Sequence, residues 1–448
     1  MKDDKLKALE QKSIPRLILS YSLTTFLALA LNSVYTLTDA LFIGRGIGAD
    51  ALGGITSVLP FTILQGAIAM TIGGGAAILV SRLLGKNDKK KAGETVLVAA
   101  VAFWTTALVI TALGLIFINP LLNLLGTADS LKVYAKQYLI ILLVGNVFST
   151  GFSAVMRAEG KMLFALLQWV IPISVNIILD AVLIFVFKLG VKGAAFATLA
   201  CQVTGFITAM LFFLKFSSLD FKGARWNTKT LGDVLTTGFP SLVQNGSIAV
   251  GMALLNNVFK AVGGGDLQII YGIVSKLLMF CIVPFTAITQ ALQPIAGYNY
   301  GAKKPERIKS AMKYTVLFSF VAAAVPLIIC ESIPRILIKI FTADDAVADA
   351  GASALRWIAA ALPFMFLPSA VGVLLQSTGK KAVAVFLFAA SFVFVPPLAL
   401  LFGKLTGAAT VWISFPIASI IGSAIAAVVF FIYNKKIAVV TKDNVLNI

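Results

Sequence analysis

The 448-residue chain contains no histidine and only 12% charged residues, against 59% hydrophobic ones. Without histidine there is no Ser-His triad, no His-ligated zinc and no histidine proton relay. The three cysteines, Cys201, Cys281 and Cys330, sit singly inside apolar runs. That scatter matches no metal motif and implies no disulfide framework. No G-x-x-x-x-G-K-[ST] phosphate loop occurs. The nearest string, RAEGKM from Arg157 to Met162, lacks the first glycine and the hydroxyl, so ATP is not indicated as an energy source. With no nucleophile–base motif either, the chain reads as a non-enzyme without a resident cofactor.

What is present is apolar length. Mean hydropathy is +0.95, whereas soluble domains are roughly 45–50% apolar and about 25% charged. A water-soluble protein of this size has no way to hide so much apolar surface, so lipid must solvate most of the chain. Membrane-crossing helices need about 20 mainly apolar residues each. Reading the apolar runs between charge and turn clusters predicts an all-α polytopic protein of twelve spans: 14–43, 52–80, 96–118, 133–155, 163–187, 194–213, 234–262, 267–295, 314–340, 352–375, 383–401 and 408–432. Prolines such as Pro60, Pro172, Pro284 and Pro368 fall inside spans, where neighbouring helices satisfy the freed carbonyls.

The formal charge of +18 fits orientation in a membrane better than nucleic-acid binding. The tails and the even-numbered loops carry most of the 37 lysines and arginines. Positive charge stays in the cytoplasm, so both termini are expected there, in a multi-pass protein of the cell membrane. The charged N-terminus MKDDKLKALEQK has no cleavage site before the first span and reads as a cytoplasmic tail rather than a signal peptide.

The two halves resemble each other. LNSVY at Leu31 answers LNNVF at Leu255, SRLLGKNDKKK answers GYNYGAKKPER, and RAEGK at Arg157 answers QSTGK at Gln376, each pair about 220 residues apart in the same order. A duplicated six-helix unit follows, with a lobe over 1–215, a cytoplasmic linker over 216–230 and a second lobe over 231–448. Two parallel repeats imply a mid-membrane cleft between bundles, the usual substrate site of alternating-access carriers.

Few charges fall within the spans, where a carboxylate costs about 2.5–3.5 kcal/mol on insertion scales. Asn32, Tyr35 and Asp39 share one face of the first span, and Asn176 and Asp180 share one face of the fifth. With Thr198 of the sixth span, they lie roughly 9–12 Å inside the outer ends of their helices, at one level. Two carboxylates, an amide and a hydroxyl suit a hard cation such as Na⁺; alternatively, desolvation makes a carboxyl a proton carrier. The competing reading hydrates both carboxylates at the interface. Lys276 in the eighth span either lines the cleft, pairs with an acid or snorkels to the interface. Gln290 is a further cleft candidate, and the glycine run Gly73–Gly75 suits close helix packing rather than phosphate binding.

On TDALFIGRGIGADALGGI, SRLLGKND, NIILDAVLIFVFKLGVKGAAFAT and QPIAGYNYGAKKPERI, the chain resembles the multidrug and toxic compound extrusion (MATE) family of the MOP flippase superfamily, over nearly its whole length. The resemblance implies a V-shaped antiporter that exports cationic amphipathic drugs in exchange for H⁺ or Na⁺. It also implies an N-lobe cation site on Asp39, Asn176, Asp180 and Thr198. The seventh and tenth spans lack the carboxylates some members carry there, and Pro15 lies at the start of the first helix. The resemblance therefore gives no basis for a C-lobe ion site or for a proline-driven bend of that helix. The expected partners are small organic cations and membrane lipids, with no nucleic acid, and twelve spans suffice for a monomer. The alternative is a flippase for lipids or lipid-linked oligosaccharides, for which Lys276 is the one basic residue at hand to hold a pyrophosphate.

Overall fold

The computed structural model describes residues 12–125, 127, 129–149, 151–341 and 344–443. The predicted N-terminal tail therefore lies almost wholly outside the described residues. Among the described residues the chain is helical, with no strand. Among the described residues nine helices are long and apolar enough to cross a membrane, and a bent pair taken as one span makes a tenth. This is the all-α polytopic architecture expected from the apolar runs.

The first helix, α1 (Ile14–Gly46), is followed by α2 (Ala49–Gly85), α3 (Lys89–Ile116), the short α4 (Ile118–Leu124), α5 (Lys132–Asn146) and α6 (Ser153–Ala158). Next come α7 (Met162–Ala181), continued by a π-helical turn over Val182–Val186, and α8 (Val191–Lys215). The chain divides into two units. One holds Leu27–Gly238; the other joins the start of α1, up to Phe26, to everything from Phe239 onward.

In the first unit α7 packs on α8, α5 on α8, and α2 on α3, α5 and α6. The predicted fourth span, 133–155, is broken, because the helix stops at Asn146 and resumes at Ser153. The unwound stretch has a packing reason. The carbonyl oxygen of Gly151 lies against Gly73 of α2, where any side chain would collide with it. Gly75 and Gly238 meet in the same way: a Cβ on Gly75 would overlap the Val234 carbonyl oxygen, and one on Gly238 that of Thr71. The glycine run serves close backbone packing. The stretch after α8 is tied to this unit. Asp220 N–H donates to the Lys89 carbonyl at 3.2 Å, and the side chains of Asn227 and Thr230 both donate to Glu94 at 3.1 Å.

The predicted seventh and eighth spans are joined without a break in the helix. They form a single helical run, α9 (Thr228–Gly301). The run doubles back on itself, since the rings of Phe259 and Tyr271 are 5.0 Å apart, whereas twelve residues of straight helix would separate them by about 18 Å. Three successive glycines, 263–265, lie between them. Phe259 and Tyr271 then share a core with Trp412 and Phe415.

The second unit continues through α10 (Pro305–Ser332), α11 (Pro334–Lys339), α12 (Asp345–Ala360), α13 (Leu362–Ser377), α14 (Lys381–Val393), α15 (Val395–Thr406) and α16 (Ser414–Asp443). The tenth span is bent by 43° between α12 and α13. Pro363 in the first turn of α13 supplies the reason, because it has no N–H to continue the hydrogen-bond ladder from α12 and its ring crowds the carbonyl four residues before it. α13 packs on α16, α14 and α10, and its Gln376 donates to Ser241 Oγ at 2.9 Å. Large apolar side chains stay exposed along the helices, for example Val321 at 61% and Val428 at 58%, which suits a hydrocarbon solvent.

Candidate functional site

α1, α5, α7 and α8 bring one polar group each, or more, to a common point within the first unit. On α1, Tyr35 precedes Asp39 by one turn, so both project from one face. On α7, Asn176 precedes Asp180 by one turn; Asn176 is fully buried and Asp180 is 1% exposed. The carboxyl groups of Asp39 and Asp180 lie close enough to interact directly. The tyrosine hydroxyls of Tyr35 and Tyr138 both lie within electrostatic reach of the two carboxyls. Tyr138, on α5, shares a 3.4 Å hydroxyl contact with Thr198 of α8. Thr198 gives its own proton to the Ala194 carbonyl at 3.0 Å. The shared contact is therefore Tyr138 O–H donating to Thr198 Oγ1, and both oxygens keep lone pairs.

The electrostatics of this cluster are one-sided. Among the described residues, Asp39 Oδ1, both carboxylate oxygens of Asp180 and both polar atoms of Asn176 are buried without a hydrogen-bond partner. Two carboxylates side by side, one wholly and one partly buried, repel strongly when both are charged. A proton shared between them, or a cation among their oxygens, removes that penalty, and the ligand set is all oxygen, as hard cations prefer. The helix following Asp180 widens into the π-helical turn over Val182–Val186, an irregularity frequent at functional sites.

Beside the cluster is a cavity of about 230 Å³, bordered by Asn32 and Tyr35 of α1, Trp169 of α7, and Cys201 and Gln202 of α8. Gln202 Oε1 is buried there without a partner among the described residues. Asp39, Asp180, Tyr35 and Thr198 thus gather in one unit, with Asn176 buried one turn from Asp180. Lys276 and Gln290 do not join them: both lie on the second leg of α9 in the other unit, where Lys276 is exposed and Gln290 half-buried. Sequence reasoning missed Tyr138 and Cys201. Tyr138 stands in KVYAKQYLIILLV, near the polar start of its helix, and no linear spacing connects it to the first or fifth span.

Long apolar helices around a buried polar cluster have the build of a polytopic membrane protein. The chain belongs to the MatE family, whose profile matches residues 25–182 and 240–401. It is 25% identical over 451 residues to the multidrug export protein MepA of Staphylococcus aureus (strain N315), covering 99% of both chains. To the MepA of Staphylococcus haemolyticus it is 24% identical, covering 97% of each. Its fold is that of solved MATE transporters. A crystal structure of a MATE protein bound to the compound MaL6 superposes with a TM-score of 0.89 at 23% identity, covering 98% of this chain and 99% of that one. A MOP-superfamily transporter from Pyrococcus furiosus superposes with a TM-score of 0.88 at 22% identity, covering 98% of each.

Proposed function

We propose that this protein exports small, amphipathic organic cations from the cytoplasm and takes up H⁺ or Na⁺ in exchange, alternating access between the two sides of the cell membrane. The observation that carries this reading is the Asp39–Asp180 pair, in which Asp39 Oδ1 and both Asp180 oxygens are buried without a donor among the described residues. Such a pair is tolerable only with a positive charge between its oxygens, which is what a coupling ion supplies. The MepA relatives carry the name multidrug export protein, which supports drug export as the direction and kind of transport.

In this reading the loaded and unloaded carboxylates favour different packings of the surrounding helices, because neutralising the pair removes a repulsion that the unloaded state must relieve by separating or hydrating the two groups. Asn176, Thr198 and Tyr138 supply the neutral oxygens that complete a cation's shell or receive a proton's hydrogen bonds. The cavity beside Tyr35 and Trp169 offers an aromatic wall to an organic cation, for which ring faces are attractive. Ion and drug then compete for one electrostatic field, so that binding of either weakens the other. An inward ion moving down a membrane potential yields about 2.3 kcal/mol per charge per 100 mV to drive the exchange.

The test is efflux of a fluorescent organic cation from proteoliposomes, under an imposed ΔpH and, separately, an imposed ΔNa⁺. One gradient is expected to drive efflux, and Asp39→Asn and Asp180→Asn are each expected to abolish the driven component while the protein stays folded. Wild-type efflux in both variants would overturn the reading.

A further inference from the structure

At the junction of α10, α11 and α12 is a cavity of about 780 Å³ that takes no part in the function proposed above. By the distribution of positive charge along the chain, this junction faces outward, in the loop between the ninth and tenth spans. Its lining combines both signs: Glu331 at the end of α10, Arg335 on α11, and Asp349 and Arg356 on α12, with Ser353 and Trp357 between them. Apolar surface leads up to it. Leu317, Val321, Val325 and Ile328 are 49–62% exposed and form one stripe of α10 that ends beside Glu331. Trp357 is 42% exposed at the rim, the depth at which tryptophan marks the boundary between hydrocarbon and water. A charged recess capping a lipid-facing stripe is where a lipid headgroup sits.

The charges narrow the choice of headgroup. Two acids and two bases line the recess, so it carries no net charge to attract an anionic lipid over a neutral one. Nor are the four side chains equivalent. Arg335 is engaged, donating from Nη2 to Asp345 at 2.8 Å and from Nε to Asp349 at 2.7 Å. Arg356 Nε, by contrast, stands 3.7 Å from Glu331 Oε2, beyond hydrogen-bond length. That pair is attracted but not closed, and it presents a cation and an anion side by side.

We propose that this recess binds the headgroup of phosphatidylethanolamine, with its phosphate on Arg356 and Ser353, its primary ammonium on Glu331, and its acyl chains along the α10 stripe. A phosphate between guanidinium and hydroxyl gains charge-assisted hydrogen bonds. A primary ammonium donates hydrogen bonds to the Glu331 carboxylate, which the quaternary ammonium of phosphatidylcholine cannot do. Phosphatidylglycerol brings a net negative charge and leaves Glu331 facing it without a partner.

The experiment is native mass spectrometry of the full-length protein released from nanodiscs holding equal amounts of phosphatidylethanolamine, phosphatidylcholine and phosphatidylglycerol. Phosphatidylethanolamine is expected to be retained at least five-fold over either competitor. Arg356→Ala and Glu331→Gln should each abolish that preference, and Arg356→Lys should keep part of it, which separates lost recognition from lost folding. Asp39→Asn, which lies in the other unit, should retain the lipid like the wild type whatever happens to its transport. Equal retention of all three lipids, a preference for phosphatidylglycerol, parity of phosphatidylcholine with phosphatidylethanolamine, or an unchanged preference in Arg356→Ala and Glu331→Gln would each overturn the proposal.

Discussion

Asp39 of α1 and Asp180 of α7 turn their carboxyl groups toward each other inside one unit of the protein, and neither Asp180 oxygen meets a hydrogen-bond donor among the described residues. Groups this close act as one site, and their mutational effects should not add. Asp39→Asn and Asp180→Asn are each expected to reduce gradient-driven efflux at least 100-fold, and the double variant to lose no more than the worse single one. Folded yield should not fall, because each change removes one of two charges that repel each other inside the unit. Vesicle efflux and size-exclusion profiles of the four proteins check this; a multiplicative loss in the double variant would separate the two residues functionally.

Tyr138 offers a gentler probe. Tyr138→Phe deletes the hydroxyl that donates to Thr198 and keeps the buried ring. Loss of a neutral hydrogen bond costs about 0.5–1.5 kcal/mol, so thermal stability should drop only slightly. Affinity for the coupling ion should fall roughly three- to ten-fold by the same energy, read as a right-shifted dependence of efflux on ion concentration with an unchanged maximum.

The crossing of α2 with the start of α9 tolerates no added methyl. Gly238→Ala would press a Cβ into the Thr71 carbonyl oxygen, and Gly75→Ala one into that of Val234. Backbone atoms cannot step aside as a side-chain end can, so the helices must separate and lose packing along their length. Overpacking of this kind typically costs about 1–3 kcal/mol. A lowered melting temperature in detergent for each variant is the expected outcome, whereas Gly66→Ala, which meets nothing within 4 Å, should melt like the wild type.

Glu159 fastens the stretch between the halves to the first unit. Its fully buried carboxylate accepts from Ser217 Oγ at 3.0 Å and from Ser218 N–H at 2.6 Å. Glu159→Ala would leave these donors buried and unsatisfied, at about 1–3 kcal/mol. Limited proteolysis within residues 216–227 should accelerate in this variant and much less in Glu159→Gln, which retains an acceptor oxygen.

On the surface, Lys132 holds the Asp129 carboxyl below the ordinary carboxylate range, through a hydrogen bond and then through its charge. The contribution of this pair to stability is therefore present above the unfolded carboxylate's pKa and lost as the pH falls through the lower folded value. Because the Asp129 side chain is 94% exposed, solvent screens the pair. Lys132→Ala should raise the Asp129 titration midpoint toward its ordinary value, as seen by infrared or NMR titration, and leave the melting temperature at neutral pH unchanged.

Much of this architecture is legible in one dimension. Apolar run length reveals helices that cross a membrane, because burying a backbone in hydrocarbon leaves no alternative to internal hydrogen bonding. Scarcity of charge within those runs singles out Asp39 and Asp180, since an intramembrane carboxylate is too costly to stand there idly. Helical periodicity adds Tyr35 and Asn176, which share faces with them. The breaks were not legible. The stop after Asn146 depends on Gly151 meeting Gly73, and the reversal of α9 shows only when the ring of Phe259 stacks beside that of Tyr271.

Membership of the polar cluster divides in the same way. Residue type and spacing determined which groups were too polar for lipid and which helix face carried them, both being local properties of a periodic chain in a uniform solvent. Only the tertiary structure decided that Tyr138 faces the two aspartates, that Lys276 stays exposed on the other unit, and that Arg356 and Glu331 stand just too far apart to close. Those outcomes depend on how separate helices pack, and a packing angle is set by contacts between residues that the chain order keeps far apart.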